Sequence, residues 1–315
     1  TEGRDSFKMG FDPARVDCWI FDLDNTLYPP STRLFDQIDV RMGLYIQNLL
    51  GCDPTEARRV QKLYFHDHGT TLSGLMHYHA VDPHAFLNFV HDIDLSPLVD
   101  APPLASRLSA LPGRKLVFTN GDDAYAARVL NALGLDDVFD GMWDIHAMRY
   151  RPKPEVSAYA GLVEAFAITP ERAVFVEDMA RNLVPAKAIG MQTVWLDLAT
   201  EWGDRAADHA AIDVATDDIV AWLDHTLERL GTSPADPGLK ILQMRAEEDL
   251  FCGARHQPAL FQIDRGFQRQ FCLPVMAEHP DLARAQRDGN RAGWHGPVWR
   301  DTGAPARGRQ EPSAQ

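Results

Sequence analysis

Four short runs of apolar, often β-branched residues are spaced along the chain at 17–21, 115–118, 173–176 and 192–196. Runs of this length and composition predict buried β-strands. Segments with apolar residues at helical spacing lie between the later runs, at 124–133, 155–166 and 182–189. Alternation of strands and helices is typical of a parallel sheet that is covered by helices on both faces. The pattern therefore predicts an α/β fold with a doubly wound parallel sheet.

A long segment separates the first two predicted strands, about 90 residues where a single crossover helix with its loops would suffice. Apolar residues follow a helical period from 34 to 49, and this stripe ends at Gly51. Asp53 and Asp82 each precede a proline, which predicts two further helices that begin at an aspartate cap and reach 69 and 91. We therefore predict a helical cap at 30–99, inserted into a core that is formed by 11–29 and 100–230.

A cluster of Gly, Ser, Pro and Asp residues at 231–238 follows the last predicted helix, at 217–230. Beyond this cluster neither a helical nor a strand period is sustained, and basic residues outnumber acidic ones although the chain as a whole is acidic. We therefore expect a separate, poorly ordered tail at 231–315.

Composition and charge restrict the possible partners. The formal net charge of −14 argues against nucleic acid, because such binding requires clustered Lys and Arg against the phosphates. No apolar run approaches the roughly 20 residues of a membrane helix, and the first ten residues do not resemble a signal peptide. The four cysteines are widely spaced, which predicts reduced thiols. These features predict a cytoplasmic protein that binds neither nucleic acid nor membrane.

Polar residues follow three of the predicted strands. Asp22 and Asp24 come after the first, and Thr119, Asn120 and Gly121 after the second. The carboxyl ends of parallel strands form the edge where open α/β sheets bind ligands. A hydroxyl and backbone amides can hold a phosphoryl group there. Aspartates and Thr-Asn-Gly are also common in ordinary turns, so each motif alone leaves both roles open.

A lysine and an acidic pair extend this set. Lys153 lies between Pro152 and Pro154, which stiffen its backbone and allow the next helix to begin at Pro154. Glu177 and Asp178 follow the third strand, where uncompensated carboxylates would be costly. Mg²⁺ prefers oxygen ligands and would supply the missing positive charge. A lone lysine or acidic pair is more often simply solvated, so the order of the motifs carries the argument.

The series Asp-x-Asp, Thr, Lys and acidic pair, each after a strand, resembles the haloacid dehalogenase-like (HAD) hydrolase superfamily over 16–230. Within it, the segments 24–29, 69–75 and 182–187 resemble the pyrimidine 5'-nucleotidase branch, whose members carry a helical cap of the subfamily I type. Met179 departs from the pattern, because many relatives have Ser or another small residue after the acidic pair.

The resemblance implies a Mg²⁺-dependent phosphomonoester hydrolase that forms an aspartyl-phosphate. By this resemblance Asp22 is the nucleophile and a metal ligand, and Asp24 is the general acid and base, with its backbone carbonyl on the metal. A carboxylate beside the leaving oxygen can donate a proton and then take one from water. The resemblance implies pyrimidine nucleoside monophosphates, UMP and CMP, as substrates.

The remaining site residues take roles from the same resemblance. Thr119 binds the phosphoryl oxygens and Lys153 stabilises their charge. Asp178 is a direct Mg²⁺ ligand, and Glu177 acts directly or through water. Asn120 and Gly121 are expected to bind the substrate beside Thr119.

The cap offers further candidates. Thr70 and Thr71 lie in a glycine-bounded segment and are expected to contact the leaving group, although a plain turn explains them equally well. Histidines at 66, 68, 77 and 79 invite a transition-metal site, which we reject because His66 and His68 lie two apart on a predicted helix and point to different faces.

Other functions share parts of this pattern. A sugar-phosphate phosphatase or phosphomutase would carry nearly every motif, whereas a haloalkanoate dehalogenase would need neither Asp24 nor a metal. A receiver-like phosphoaspartate switch is the non-enzyme alternative, but such a domain has no room for a helical insert after its first strand.

Overall fold

A six-stranded sheet forms the centre of the described part of the chain, which comprises residues 11–200, 203–204 and 208–232 of a computed structural model. Its order is β3-β2-β1-β4-β5-β6, and all neighbouring strands are parallel. The order changes direction beside β1, so the carboxyl end of that strand lies at the topological switch point. The predicted doubly wound α/β fold is confirmed. The strands are β1 (Cys18–Phe21), β2 (Arg114–Phe118), β3 (Gly141–Trp143), β4 (Ala173–Glu177), β5 (Gln192–Leu196) and β6 (Val214–Thr216).

The central strands are those that the sequence predicted. All four residues of β1 and all five of β4 are buried, because helices cover both faces of the sheet there. The edge strands β3 and β6 were not predicted. Each has three residues, and β3 is only half-buried, so neither leaves a long apolar run in the sequence.

Four α-helices follow β1 within residues 34–90: α1 (Leu34–Leu50), α2 (Pro54–His68), α3 (Thr71–His79) and α4 (Pro83–Val90). Two of the predicted helix starts are confirmed, since the side chain of Asp53 accepts from Glu56 N and that of Asp82 accepts from His84 N. Helix α1 ends where predicted, at Gly51 with φ 62°. The boundaries of cap and core remain predictions.

Helix α3 was not predicted, because the sequence alone indicated either a contact with the substrate or a plain turn after Gly69. Thr70 caps it, because its Oγ1 accepts from Ser73 N at 3.1 Å. Gly74 allows α3 to pack closely on α2. A Cβ at position 74 would lie 2.4 Å from atoms of the Tyr64 side chain, so any larger residue would push the two helices apart.

Five further α-helices follow in the described chain: α5 (Ala105–Ala110), α6 (Asp123–Ala132), α7 (Val156–Ala165), α8 (Ala180–Ala188) and α9 (Ile219–Leu230). Helix α5 was not predicted. Helix α7 begins two residues after Pro154, so the expected start at that proline was wrong. Gly231, with φ 67°, ends α9. The predicted tail lies outside the described residues, apart from positions 231 and 232, and Cys252 and Cys272 lie outside them too.

Two properties concern the described residues only. Cys18 and Cys52 are free thiols. None of the helices in this part of the chain has the length and apolar character needed to cross a membrane.

Candidate functional site

The carboxyl ends of β1, β2 and β4 bring the predicted site residues together. Asp22 directly follows β1, and its N–H continues the ladder by donating to Val176 O at 2.9 Å. Thr119 follows β2, and Asp178 follows Glu177, the last residue of β4. Parallel pairing of β1 with both neighbours therefore holds these three chain segments at one edge of the sheet.

Lys153 is the centre of the site. Its Nζ donates to Asp22 Oδ1 at 2.6 Å, Glu177 Oε2 at 2.7 Å and Phe118 O at 2.8 Å. The residue is only 1% exposed. Burial by itself would lower the pKa of Lys153, but the charges of Asp22 and Glu177 outweigh this effect and raise the pKa. Lys153 is therefore a fixed ammonium that bridges two carboxylates from different strands.

Three buried carboxylates surround this ammonium: Asp22, Glu177 and Asp178, whose ligand atoms lie within 4.8 Å of one another. Burial raises the pKa of Asp22 to about 8, with a further contribution from Glu177, while Lys153 opposes the shift. Burial and the charges of Glu177 and Asp22 also raise the pKa of Asp178 well above its usual value. One lysine therefore does not balance the negative charge that ionised carboxylates would place here.

This donor set suits a divalent cation. It offers only carboxylate oxygens, the ligand type that Mg²⁺ prefers, and a cation would supply the missing positive charge. Glu177 differs from the two aspartates, because its Oε2 accepts from Lys153 and its Oε1 accepts from Met179 N at 3.1 Å. Both oxygens of Glu177 are thus already engaged with protein donors.

Asp24 lies beside these acids and is held by two tyrosines. Its Oδ1 accepts from Tyr28 Oη at 2.5 Å and from Tyr125 Oη at 2.7 Å. Burial and the negative charge of Asp24 raise the pKa of both phenols well above the usual value, so both hydroxyls stay protonated donors. The sequence interpretation missed both tyrosines. Tyr28 lies four residues beyond Asp24, whereas nothing local connects Tyr125 to it.

A second hydrogen-bonded pair, His91 and Asp122, joins the end of α4 to the start of α6, beside Asp24 and its tyrosines. His91 directly follows α4, and its Nδ1 lies 2.5 Å from Asp122 Oδ2. The Oδ1 of Asp122 accepts from Tyr125 N at 2.8 Å and so caps α6. Burial by itself would raise the pKa of Asp122, but the hydrogen bond and charge of His91 outweigh it, and the pKa is lowered. The sequence interpretation identified neither residue.

The turn after β2 is built around Lys153. Asn120 Oδ1 accepts from Lys153 N at 2.9 Å, and its Nδ2 donates to Lys153 O at 3.2 Å, so one side chain holds the lysine backbone on both sides. Thr119 is fully buried, and its Oγ1 accepts from Gly121 N at 3.0 Å. Asn120 and Gly121 line the adjoining cavity, whereas Thr119 is not among its lining residues.

A cavity of about 220 Å³ lies between the sheet edge and the helices of the insert. All predicted site residues other than Thr119 line it, including Thr70 and Thr71. Helices α1 and α4 supply much of an apolar wall, formed by Phe35, Ile38, Met42, Phe86, Leu87 and Val90. The charged, carboxylate-rich edge of the sheet therefore lies opposite the mainly apolar surface of α1 and α4.

The four cap histidines lie on α2 and α3. His79 Nε2 is 2.7 Å from Tyr64 Oη, and the rings of His68 and His77 are 5.2 Å apart. His66 is exposed and pairs with its neighbour Asp67. His68, His77 and His79 therefore lie among aromatic rings at the junction of α2 and α3.

The fold and the site define an α/β protein with a doubly wound parallel sheet and a buried lysine-carboxylate cluster at its carboxyl edge. Residues 16–190, more than half of the chain, match the family model described as haloacid dehalogenase-like hydrolase. The chain belongs to the haloacid dehalogenase-like hydrolase family. The superfamily resemblance is thereby confirmed, while the pyrimidine 5'-nucleotidase branch stays a prediction.

Two curated proteins are similar to this chain. "Phosphate metabolism protein 8" of Saccharomyces cerevisiae is 31% identical over 201 residues, which cover 57% of this chain and 61% of that protein. "Enolase-phosphatase E1" of Frankia alni is 35% identical over 117 residues, which cover 36% of this chain and 48% of that protein. The alignments thus span about half to three fifths of the length of these relatives.

Among solved structures, the HAD phosphatase from Thermococcus onnurineus is 20% identical with a TM-score of 0.47, and the alignment covers 70% of this chain and 100% of that chain. CbbY from Rhodobacter sphaeroides in complex with phosphate is 19% identical with a TM-score of 0.47, and the alignment covers 64% of this chain and 94% of that chain.

Proposed function

We propose that this chain is a Mg²⁺-dependent phosphomonoesterase that acts through an aspartyl-phosphate on Asp22. The observation that carries the proposal is the position of Lys153, whose Nζ bonds both Asp22 and Glu177 at the carboxyl edge of the sheet. A buried ammonium beside a carboxylate nucleophile can neutralise the charge of an incoming phosphoryl group. Phosphoryl transfer requires mainly such positioning and charge stabilisation from a protein.

The proposed reaction uses two aspartates. An oxygen of Asp22 forms a bond to phosphorus while the bond from phosphorus to the ester oxygen breaks. Asp24 donates a proton to that leaving oxygen, and then takes a proton from the water that attacks the phosphoaspartate. Phosphate leaves, Asp22 is again an ionised carboxylate, and Asp24 again carries the proton that it donates in the first step. Tyr28 and Tyr125 hold Asp24 Oδ1 in place throughout.

The acidic cluster supports the metal requirement. Asp22, Asp178 and the backbone carbonyl of Asp24 would hold Mg²⁺, which would neutralise phosphoryl charge when bound. Glu177 would act through water and keep Lys153 in place, because its two oxygens already accept protein hydrogen bonds. The proposed contact of Thr119 with phosphoryl oxygens rests on the motif resemblance alone, because Thr119 is fully buried and does not line the cavity.

The proposed substrates are pyrimidine nucleoside 5'-monophosphates, UMP and CMP. The motif resemblance at 24–29 and 69–75 supports this choice. The receiver-like switch is not retained, because the chain belongs to a hydrolase family.

The test is phosphate release from a panel of pyrimidine and purine 5'-nucleotides, sugar phosphates and p-nitrophenyl phosphate, in the presence of Mg²⁺. UMP and CMP should give the highest kcat/KM. The Asp22→Asn protein, purified in the same way, is the matched control for contaminating phosphatases and should be inactive. Higher kcat/KM on a sugar phosphate would replace the nucleotidase proposal with the sugar-phosphate alternative. Equal activity of Asp22→Asn would refute the phosphoaspartate mechanism.

A further inference from the structure

One of the two ring nitrogens of His91 is free, and a bound molecule can reach it from the cavity. Nδ1 lies 2.5 Å from Asp122 Oδ2, whereas Nε2 makes no hydrogen bond in the described part of the chain. Nε2 is also not among the fully buried polar atoms that lack a partner, so it has accessible surface. The residue is only 7% exposed and lines the cavity. The exposed part of the imidazole therefore opens into the cavity.

Asp122 decides which nitrogen is free. A carboxylate accepts hydrogen bonds and donates none, so Nδ1 of His91 carries the hydrogen of this contact. The other nitrogen of a neutral ring is then an acceptor. Asp122 is itself held in place, because its Oδ1 accepts from Tyr125 N at 2.8 Å. The orientation of the imidazole is thus fixed before any ligand binds.

The position of His91 indicates which part of a substrate it meets. Its ring stacks on the ring of Tyr125, whose hydroxyl donates to Asp24 Oδ1. Asp24 is the proposed acid that protonates the leaving oxygen, so His91 lies two contacts away from the ester bond. Lys153 contacts neither His91 nor Tyr125 among its hydrogen bonds. His91 therefore faces the part of the leaving group next to the ester, which in a nucleoside 5'-monophosphate is the ribose.

We propose that Nε2 of His91 forms a hydrogen bond with a ribose hydroxyl group, so that His91 and Asp122 are the subsite that holds the sugar of the nucleotide. This inference rests on the proposed nucleotidase function and specifies which part of the substrate the same cavity recognises. His91 contacts the substrate, and Asp122 is a positioning residue that orients the imidazole.

A hydroxyl group suits Nε2 better than any group on the base. It can donate to a neutral imidazole and accept from a protonated one, so the contact is kept in both states of the ring. The hydrogen donors of the two bases differ, because uracil has a ring N–H where cytosine has a bare nitrogen, and cytosine has an amino group where uracil has a carbonyl. UMP and CMP share their ribose hydroxyls. One acceptor that serves both substrates therefore meets the sugar.

The experiment compares UMP with 2',3'-dideoxyuridine 5'-monophosphate, which keeps the base and the phosphate ester and lacks both hydroxyl groups of the ribose ring. Wild-type protein should hydrolyse UMP with a kcat/KM about tenfold higher, mostly through a lower KM, the effect expected of one hydrogen bond in a buried site.

His91→Asn removes Nε2 and keeps a donor for Asp122, because the amide nitrogen of Asn is as many bonds from the backbone as Nδ1 of His. In this variant kcat/KM for UMP should fall about tenfold, and the preference for UMP over the dideoxy substrate should disappear. A residue that acted only through Tyr125 and Asp24 would lower the rates on both substrates equally and leave that preference intact.

His84→Asn is the matched control. His84 also lies on α4, is exposed, stacks on His146 and does not line the cavity. Its substitution should leave both kcat/KM values unchanged. Melting temperatures of the two variants show whether either substitution unfolds the protein. The dideoxy substrate tests the wild-type protein independently of any folding defect.

The outcomes separate the two proposals. If UMP is hydrolysed and the wild-type protein accepts the dideoxy substrate equally well, the sugar subsite is wrong and the nucleotidase function stands. A folded His91→Asn protein that keeps the preference for UMP leads to the same conclusion. If p-nitrophenyl phosphate is hydrolysed and UMP is not, the nucleotidase function and the subsite both fail.

Discussion

The imidazole of His91 lies nearly parallel to the phenol of Tyr125, with 4.2 Å between the ring centroids and 15° between the planes. His91 belongs to the insert, whereas Tyr125 lies in the first turn of α6 and donates its hydroxyl to Asp24. Two contacts thus connect the end of α4 to the carboxylate that we propose as acid and base.

Asp24→Asn tests the two chemical half-reactions. The amide keeps the size of the side chain and the backbone carbonyl, but it can neither give a proton to the leaving oxygen nor take one from water. We expect kcat on UMP to fall by roughly 10²- to 10⁴-fold, the usual effect of losing a positioned acid or base. The measurement is steady-state phosphate release.

An aryl phosphate extends that test, because its leaving group needs little proton donation. Asp24→Asn should still phosphorylate Asp22 with this substrate and then release phosphate slowly, so intact mass spectrometry should detect a hydroxylamine-sensitive adduct. Asp36→Asn, at an exposed position on α1 paired with Arg33, is the control and should behave as wild type. A wild-type rate for Asp24→Asn on UMP would show that another group is the acid and base.

Tyr125→Phe should lower kcat about tenfold with little change in KM. The substitution removes one donor to Asp24 Oδ1 but keeps the aromatic face against His91. A hydrogen bond to a charged group contributes about 1.5–3 kcal/mol, and Tyr28 remains as the second donor. Kinetics on UMP measure the effect. Tyr78→Phe, at a position that is 57% exposed, is the control. Equal kcat in both variants would mean that Tyr28 alone holds Asp24.

Asn120→Ala should act through Lys153. The side chain of Asn120 bonds both the N–H and the carbonyl of Lys153, so its removal frees the backbone that places the ammonium. We expect kcat to fall by roughly tenfold or more while KM changes little, because misplaced charge affects the transition state most. Asn131→Ala, which removes a surface hydrogen bond to Asp136, is the control. A rise in KM with unchanged kcat would indicate that Asn120 contacts substrate directly.

Asp178→Ala should raise the Mg²⁺ concentration needed for half-maximal activity. Losing even an outer-shell partner of a metal site typically costs 10- to 100-fold in affinity or activity, so the removal of a direct ligand should cost at least about that much. Activity measured against Mg²⁺ concentration gives the shift, and excess chelator should abolish wild-type turnover. Asp137→Ala, an exposed residue outside the cavity, is the control. An unchanged titration would place the metal elsewhere.

The pair of His91 and Asp122 should make stability depend on pH. The pKa of Asp122 is lowered in the folded protein, so this carboxylate contributes stability above its unfolded pKa of about 3.9 and loses that contribution as pH falls through the folded value. Asp122→Asn should therefore lower the melting temperature most near neutral pH. The difference from wild type should shrink as pH falls from about 5 to about 3. Asp137→Asn should show no such trend, and a pH-independent difference would refute the linkage.

The sequence predicted the centre of the sheet because β1, β2, β4 and β5 consist largely of buried residues, which must be apolar wherever helices cover both faces. It did not predict β3 and β6, whose three residues carry too short a pattern. Helix α3 was also missed. Its start depends on the cap at Thr70, and its packing depends on the fit of Gly74 against Tyr64, which only the neighbouring helix defines.

By itself, the sequence determined which residues reach the carboxyl edge of the sheet. Asp22, Thr119 and Glu177 each lie at or directly beyond the end of a strand, and parallel strands end at the same edge. The positions of these residues depend on where each strand ends and on the parallel direction of the strands, and both can be inferred from the sequence pattern. The position of Lys153 could be proposed from motif order, but its three acceptors could not.

Only the tertiary structure decided how those residues are held and what lies opposite them. Tyr125 meets Asp24 across 101 positions of sequence, and Asn120 meets Lys153 across 33. In the described part of the chain, His91 keeps one ring nitrogen free at the cavity only because α4 ends beside α6 and places Asp122 at the other. Hydrogen bonds depend on distances and angles between atoms, and folding sets these only when separate elements pack together.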